Sequence, residues 1–227
     1  MNDWAFEPQP APFLAIAGSK DRFPVRRIYC VGQNYAEHVR EMGGSGREAP
    51  VFFDKPADAV SLTPELAYPP GTKNLHHEVE LVVALKSGGR SLTPEQAAGC
   101  IFGYAVGVDL TRRDLQVAAK EKGAPWTTAK GFDASAPLSP VRPAADCGDV
   151  SSAEIQLSVN GELRQRSSTS EMIWSVPEII AELSRLFELK AGDLVFTGTP
   201  EGVGPLQRGD RVECAVAGVG ELAFRIV

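Results

Sequence analysis

The sequence predicts an α+β fold that is rich in β-strands and forms one domain over residues 1–227. The chain contains 22 glycines and 17 prolines among 227 residues, and so many turn residues favour sheets over a helical bundle. The clearest local signal is Asn160-Gly161, the preferred two-residue hairpin turn, inside an alternating segment over residues 155–165. No internal repeat or linker divides the chain, so residues 1–24 are interpreted as a short N-terminal extension of the single domain.

The other elements are predicted from hydrophobic periodicity and from helix caps. Residues 13–17, a turn at 18–21 and residues 27–31 have the pattern of a strand pair. Further strands are predicted at residues 75–83, 101–108, 194–197, 211–216 and 221–227. Helices are predicted to begin at the caps Asn34, Thr93, Thr111 and Ser175, and the last of them is a long helix that ends at about Leu189.

Composition and charge exclude several classes of protein. The net charge is −6 and the pI is about 5.2, so the chain lacks the basic surface that a nucleic-acid partner requires. No apolar run is long enough to cross a bilayer, and the N-terminus lacks the layout of a signal peptide, which predicts a cytoplasmic protein without a membrane partner. The four cysteines are widely scattered and predict reduced, buried thiols rather than a metal cluster or a disulfide framework.

Glu78 and Glu80 are the residues most informative about function. On a strand they project from the same face, and two adjacent carboxylates repel each other unless a cation lies between them. Asp109 follows the apolar strand predicted at residues 101–108 and would reach the same rim. Three carboxylates without clustered cysteines indicate an all-oxygen site for Mg²⁺ or Mn²⁺ rather than Zn²⁺. The alternative is a solvent-facing strand whose acidic side chains are hydrated.

His38 and Glu41 lie three residues apart on the helix predicted after Asn34, so their side chains can touch. A carboxylate beside an imidazole fixes its tautomer and raises its basicity, which a water-activating general base requires. An exposed His–Glu pair without a function would have the same spacing.

Further polar residues could contact a ligand. Arg113 and Gln116 also lie three residues apart, just after Asp109, so their side chains can face the same side of a helix. Polar residues on an exposed helix face would explain this spacing equally well. Lys130 is a lone lysine in a fairly apolar stretch and either extends to solvent or faces an anion. The glycine-rich loop at residues 197–204 lacks the ending of a phosphate-binding P-loop, but it could present Thr199 and backbone N–H groups to a small anion.

Six motifs occur in the order seen in the fumarylacetoacetate hydrolase family, which the chain resembles over roughly residues 25–227. They are Gly32-Gln-Asn-Tyr-Ala-Glu-His38-Val-Arg-Glu41, Lys55-Pro56, His77-Glu78-Val79-Glu80, Gly107-Val-Asp109, Lys130-Gly-Phe-Asp133 and Thr197-Gly-Thr-Pro-Glu-Gly-Val-Gly204. Within the family, the chain is most similar to fumarylpyruvate hydrolases and the related acylpyruvases. It departs at Gln33, where the family usually has Arg, so a positive charge is missing there.

The resemblance implies a mixed β-sandwich roll with a few peripheral helices, a homodimer and a role for each motif residue. It implies that Mg²⁺ or Mn²⁺ is bound by Glu78, Glu80 and Asp109. It makes His38 and Glu41 a water-activating dyad on a lid, with Lys130 as a further catalytic residue. The substrate contacts that it implies are Arg113, Gln116 and Thr199.

The function expected from the resemblance is hydrolysis of a C–C bond in 2,4-dioxo acids (acylpyruvates). The best candidate reaction converts fumarylpyruvate to fumarate and pyruvate, in the breakdown of aromatic compounds through gentisate. Two alternatives stay open. One is an oxaloacetate decarboxylase or an isomerase on the same scaffold, and the other is a metal-binding protein without enzymatic activity.

Overall fold

The computed structural model describes residues 4–35 and 48–227, and strands predominate in it. A six-stranded mixed sheet carries most of the candidate site. In spatial order its strands are β12 (Arg142–Pro143), β9 (Ile101–Val108), β8 (Val79–Leu85), β15 (Asp193–Phe196), β3 (Arg27–Gly32) and β4 (Val51–Lys55). The β15 and β3 strands are parallel, whereas every other neighbouring pair in this sheet is antiparallel.

A second, five-stranded sheet is built around the predicted hairpin. In spatial order its strands are β14 (Glu162–Ser168), β13 (Glu154–Val159), β17 (Arg211–Val216), β18 (Gly220–Ile226) and β6 (Glu65–Leu66). Asn160 and Gly161 connect β13 to β14 with φ values of 53° and 79°, the left-handed conformation that this hairpin turn needs. The predicted hairpin is therefore confirmed.

The six-stranded sheet is buried on both faces. Leu81 and Val83 of β8 belong to a core that the two large sheets share, whereas Val82 and Ala84 belong to a second core on the opposite face. Alternate side chains of a strand project to opposite faces, so a strand between two cores must be apolar throughout. Polar side chains within or beside these strands are therefore buried at a free-energy cost unless hydrogen bonds or opposite charges compensate them.

Short sheets and helices surround the two large sheets. The short sheets pair β1 (Phe13–Ala15) with β2 (Arg22–Pro24), β7 (Leu75–His77) with β10 (Thr111–Arg112) and β16 (Gly204–Leu206), and β5 (Val60–Ser61) with β11 (Ala136–Pro137). The helices are α1 (Pro94–Gly99), α2 (Arg113–Glu121), α3 (Thr127–Lys130) and α4 (Val176–Leu186), and single 3₁₀ turns occur at Ala57–Ala59, Ala144–Asp146, Val150–Ser152 and Thr169–Glu171. In the described ranges, no helix has the length and apolar composition to cross a membrane.

The α+β class with mostly strands and few helices is confirmed, but two local predictions need correction. The strand at Phe13 pairs with Arg22–Pro24 rather than with residues 27–31, because the short turn folds the chain directly back on itself. The helix predicted at Thr111 begins at Arg113, since Thr111 and Arg112 pair with β7. The short helix α3 was not predicted. The helix predicted after Asn34 lies outside the described residues.

Candidate active site

Three carboxylates meet where β8 begins and β9 ends. The two strands are antiparallel, with Val79 opposite Val108, so Glu78 and Glu80 start one strand where Asp109 follows the other. The Asp109 N–H donates to the Glu78 carbonyl at 2.8 Å. One carboxylate oxygen from each of the three residues lies within 4.8 Å of the others. Their exposed fractions are 7%, 1% and 0%, so the alternative of a hydrated acidic strand is wrong.

Lys130 compensates two of these carboxylates from the end of α3. Its ammonium donates to Glu78 Oε2 at 2.8 Å, to Asp109 Oδ2 at 2.6 Å and to the Thr111 hydroxyl at 2.7 Å. Burial lowers the pKa of Lys130, but the charges of Asp109 and Glu78 outweigh burial and raise the pKa overall. Lys130 is therefore a charged ammonium whose three hydrogens are all donated to protein groups.

Lys55 is a second buried ammonium, and the sequence analysis assigned it no role. Its Nζ lies 2.8 Å from Asp109 Oδ1 and donates to the carbonyls of Leu110, at 3.3 Å, and of Lys130. The side chain is completely buried. In the sequence, Lys55 ends the segment Val51-Phe-Phe-Asp-Lys55 and is followed by proline, and this pattern alone does not identify its partner.

Arg113 and Gln116 lie on the first turns of α2 and are hydrogen-bonded to each other. The Arg113 guanidinium donates to Glu78 Oε1 and to the Gln116 side-chain oxygen. Burial would raise the pKa of Glu78, but Lys130 and Arg113 outweigh it and hold that pKa well below its usual value. Because the Gln116 oxygen accepts from Arg113, its amide hydrogens are the groups left to donate to a ligand.

Glu80 has less compensation than its two neighbours. Its Oε2 accepts the Gly198 N–H at 2.6 Å. Burial raises the pKa of Glu80 well above its usual value, and the negative charges of Asp109 and Glu78 raise it further. A cation between the three carboxylates would relieve this repulsion.

The loop after β15 brings Thr199 to the same place. The Thr199 hydroxyl donates to the Val79 carbonyl at 2.8 Å and accepts from Gln165 Nε2 at 2.9 Å. Gln165, on β14 and 1% exposed, also accepts the Val79 N–H at 3.2 Å and lies 2.9 Å from His77 Nδ1. The Thr199 oxygen can therefore only accept from a ligand, because its own hydrogen is already donated. No signal in the sequence identified Gln165.

A cleft opens above the carboxylates. Its walls include most of the residues predicted for the site, and it gains further side chains from Gln33, Phe53, Lys120 and Trp126. The rings of Phe53 and Trp126 are tilted at 56° with centroids 5.6 Å apart, which makes one wall aromatic. The predicted dyad of His38 and Glu41 lies outside the described residues.

The donor set fits a hard divalent cation. All three candidate ligands offer carboxylate oxygen, the donor that Mg²⁺ and Mn²⁺ prefer. Asp109 Oδ1 is buried and accepts no hydrogen bond in the described part of the chain, although the Lys55 ammonium is 2.8 Å away. Because no hydrogen-bond donor among the described residues is aligned with this oxygen, it can still offer a lone pair to a metal ion.

Known proteins match the chain over nearly its full length. Residues 27–227 match the family described as fumarylacetoacetate (FAA) hydrolase C-terminal. A fumarylpyruvate hydrolase from Pseudomonas aeruginosa, solved in complex with Mn²⁺ and pyruvate, is 53% identical, with a TM-score of 0.96 and 99% of each chain covered. Oxaloacetate tautomerase YcgM of Escherichia coli is 48% identical over 84% of this chain and 88% of its own length. Human mitochondrial oxaloacetate tautomerase FAHD1 is 43% identical over 88% of this chain and 91% of its own length.

Proposed function

The chain belongs to the fumarylacetoacetate hydrolase family, and we propose that it is a metal-dependent hydrolase of 2,4-dioxo acids. Its best candidate substrate is fumarylpyruvate, which water would split into fumarate and pyruvate. The observation that carries the proposal is the buried set of Glu78, Glu80 and Asp109. Similarity to a fumarylpyruvate hydrolase that binds Mn²⁺ and pyruvate supports the choice of metal and substrate.

The three carboxylates would hold Mg²⁺ or Mn²⁺. When bound, the ion would supply Lewis-acid stabilisation of negative charge on the 2-oxo group, worth several kcal/mol. Lys55 and Lys130 hold Asp109 from its two oxygens, at 2.8 and 2.6 Å, and therefore fix the direction of this carboxylate before substrate arrives. Such preorganisation lowers the cost of binding.

Substrate orientation is assigned to the cleft side chains. Arg113 has N–H groups beyond those donated to Glu78, Gln116 and His76, and they can donate to the substrate carboxylate. Gln116 contributes its amide hydrogens, while Thr199 contributes an acceptor oxygen. This assignment keeps Arg113, Gln116 and Thr199 as substrate contacts and makes Lys130 a charge that holds Glu78 and Asp109.

The nucleophile is assigned to the dyad predicted from the sequence. His38, oriented by Glu41, takes a proton from water, and the resulting hydroxide adds to the C4 carbon of the substrate. The C3–C4 bond then breaks, fumarate leaves, and the electron pair of that bond becomes the enolate of pyruvate. A proton returned to C3 completes pyruvate. General-base catalysis of this kind contributes about 10²- to 10⁴-fold.

Oxaloacetate tautomerisation is the second candidate, and the similarity to two oxaloacetate tautomerases favours it. This reaction moves a proton between C3 and the 2-oxo oxygen and needs no water nucleophile. Decarboxylation of oxaloacetate also passes through an enolate and also needs no added water. The same recognition of a 2-oxo acid would therefore serve all three reactions.

A product assay tests the proposal. We would incubate the protein with Mg²⁺ or Mn²⁺ and with fumarylpyruvate, acetylpyruvate or oxaloacetate, and then quantify fumarate, acetate, pyruvate and the enol form of oxaloacetate. We expect equimolar fumarate and pyruvate from fumarylpyruvate. Fast exchange of oxaloacetate tautomers without cleavage of either acylpyruvate would reject the hydrolase in favour of the second candidate.

His38→Ala separates the reactions within one protein. We expect acylpyruvate cleavage to fall by about 10²- to 10⁴-fold, whereas Mn²⁺ binding persists because the three carboxylates are unchanged. Tautomerisation or decarboxylation of oxaloacetate should fall much less. Cleavage that survives within a few-fold would remove His38 from the role of base.

A further inference from the structure

The positively charged side chains of the cleft differ in how many of their N–H groups already donate to protein acceptors. Lys130 donates all three hydrogens to protein acceptors, and Arg113 donates to Glu78, Gln116 and His76. Lys120 also lines the cleft, but within residues 4–35 and 48–227 its ammonium has neither an ion pair nor a hydrogen bond. Its ammonium lies over the Trp126 ring, 5.1 Å from the centroid.

The surroundings of Lys120 favour an anion. Lys120 is exposed over much of its surface, but partial desolvation still lowers its pKa, and the positive charge of Arg113 lowers this pKa further, while the charge of Glu78 offsets the decrease only in part. The ammonium is thus held in a region of positive potential without a carboxylate partner in the described part of the chain. A ligand carboxylate placed there would gain a charge-assisted hydrogen bond and relieve the repulsion.

The position of Lys120 indicates which part of a ligand it would meet. Lys120 and Arg113 lie at opposite ends of α2, seven residues and therefore about 10 Å apart along the helix axis. Arg113 contacts the carboxylate cluster, whereas Lys120 lies beside the aromatic wall. A ligand whose first carboxylate is bound near Arg113 would extend its far end along this wall towards Lys120. Gln33, on the same cleft, carries no charge that could replace Lys120.

We propose that Lys120 is a specificity-determining residue that binds the distal carboxylate of a dicarboxylic 2-oxo acid, with the Trp126 ring lying beneath its ammonium. This inference rests on the proposed function and deepens it, since it selects dicarboxylic substrates such as fumarylpyruvate over monocarboxylic ones such as acetylpyruvate. A hydrogen bond between two charged groups corresponds to about a tenfold difference in affinity.

The first test measures binding without turnover. Lys120→Met keeps an unbranched side chain of similar length beside Trp126 but removes the charge, and Lys122→Met removes a charge from an exposed lysine two residues away. We would titrate 2-oxoglutarate and 2-oxopentanoate, which have equal chain lengths, into the Mn²⁺-loaded proteins by calorimetry. We expect wild type and Lys122→Met to bind 2-oxoglutarate more tightly than 2-oxopentanoate. In Lys120→Met, the affinity for 2-oxoglutarate should fall about tenfold, while the affinity for 2-oxopentanoate should stay unchanged.

The second test measures selectivity in catalysis. In Lys120→Met, KM for fumarylpyruvate should rise about tenfold with kcat little changed, while both constants for acetylpyruvate stay within about twofold of wild type. Equal effects on both substrates, no effect on either, or the same effect in Lys122→Met would overturn the inference. If wild type cleaves neither acylpyruvate, the proposed function fails, and the calorimetry still decides the role of Lys120. A wild type without preference for 2-oxoglutarate overturns the inference by itself.

Discussion

At the residue scale, the site is organised by compensation of buried charge. Asp109 is completely buried, yet each of its oxygens lies within 2.8 Å of an ammonium, from Lys55 on one side and Lys130 on the other. Among the described residues, Glu80 accepts a hydrogen bond from a single backbone N–H, that of Gly198. The two carboxylates therefore respond differently to substitution, which gives two predictions.

The first prediction concerns Glu80→Gln. The amide keeps the size of the side chain and can still accept the Gly198 N–H, but it removes one negative ligand. We expect Mn²⁺ affinity, measured by calorimetry, to fall at least tenfold and turnover to be lost. The free energy of unfolding in EDTA should stay constant or rise, because repulsion from Asp109 and Glu78 is relieved. Glu162→Gln on an exposed strand is the control, and unchanged Mn²⁺ affinity in Glu80→Gln would contradict the metal assignment.

The second prediction concerns Lys55→Met. Removing one member of a buried ion pair leaves its partner's charge uncompensated, which costs about 3–5 kcal/mol. We expect a loss of this size in urea unfolding with EDTA and a smaller loss with Mn²⁺, since the metal would compensate Asp109. The matched control is Lys190→Met, because Lys190 has a half-exposed ion pair with Glu188 worth about 0–1 kcal/mol. Equal losses in the two variants would show that Lys55 does not stabilise Asp109.

At the scale of elements, the loop between β15 and β16 connects the sheet to the carboxylates. Gly198 has φ +95°, and a Cβ there would lie 2.8 Å from the Asn34 Cβ. The Asn34 side chain in turn donates to the carbonyls of Trp174 and Thr197. The close approach of Gly198 to Asn34 therefore positions the Gly198 N–H, which donates a hydrogen bond to Glu80.

Gly198→Ala tests this arrangement against Gly209→Ala. Gly209 has nearly the same φ, +93°, but nothing lies within 4 Å of a Cβ there. The left-handed conformation alone should cost Gly209→Ala about 1–3 kcal/mol in the free energy of unfolding. We expect a larger loss in Gly198→Ala, together with weaker Mn²⁺ binding that Gly209→Ala does not show. Similar stability and equal metal affinity in the two variants would mean that the contact with Asn34 does not position Glu80.

At the scale of the whole molecule, two cores lie on the two faces of the six-stranded sheet. The carboxylate cluster forms at one end of this sheet, where β8 begins and β9 ends, so its backbone is held by buried strands. Away from the site, Leu186 is 62% exposed and Phe187 is 38% exposed, and Phe187 lines a groove with Tyr29 and Phe52.

The homodimer implied by the resemblance stays a prediction. We expect light scattering coupled to size exclusion to give twice the chain mass of 24.3 kDa, with the same mass in EDTA, because the carboxylates are buried within one chain. A mass equal to a single chain would contradict the prediction.

The sequence by itself determined the features that depend on neighbouring residues. The Asn160-Gly161 hairpin and the capping box of Thr93 and Gln96 follow from local backbone and side-chain chemistry. The carboxylate cluster was also predictable, since alternation places Glu78 and Glu80 together and a strand end places Asp109. The family resemblance added the roles of the other predicted site residues, but it assigned no role to Lys55, Lys120 or Gln165.

The tertiary structure alone decided which distant groups meet at the site. Lys55 reaches Asp109, and Gln165 reaches Val79 and Thr199, across strands that are remote in sequence. The strand at Phe13 likewise pairs with residues 22–24 rather than with residues 27–31. Residues 27–32 instead lie between β15 and β4 in the six-stranded sheet. Periodicity shows which side of a strand is apolar, but the packing of distant segments decides which buried charges become partners.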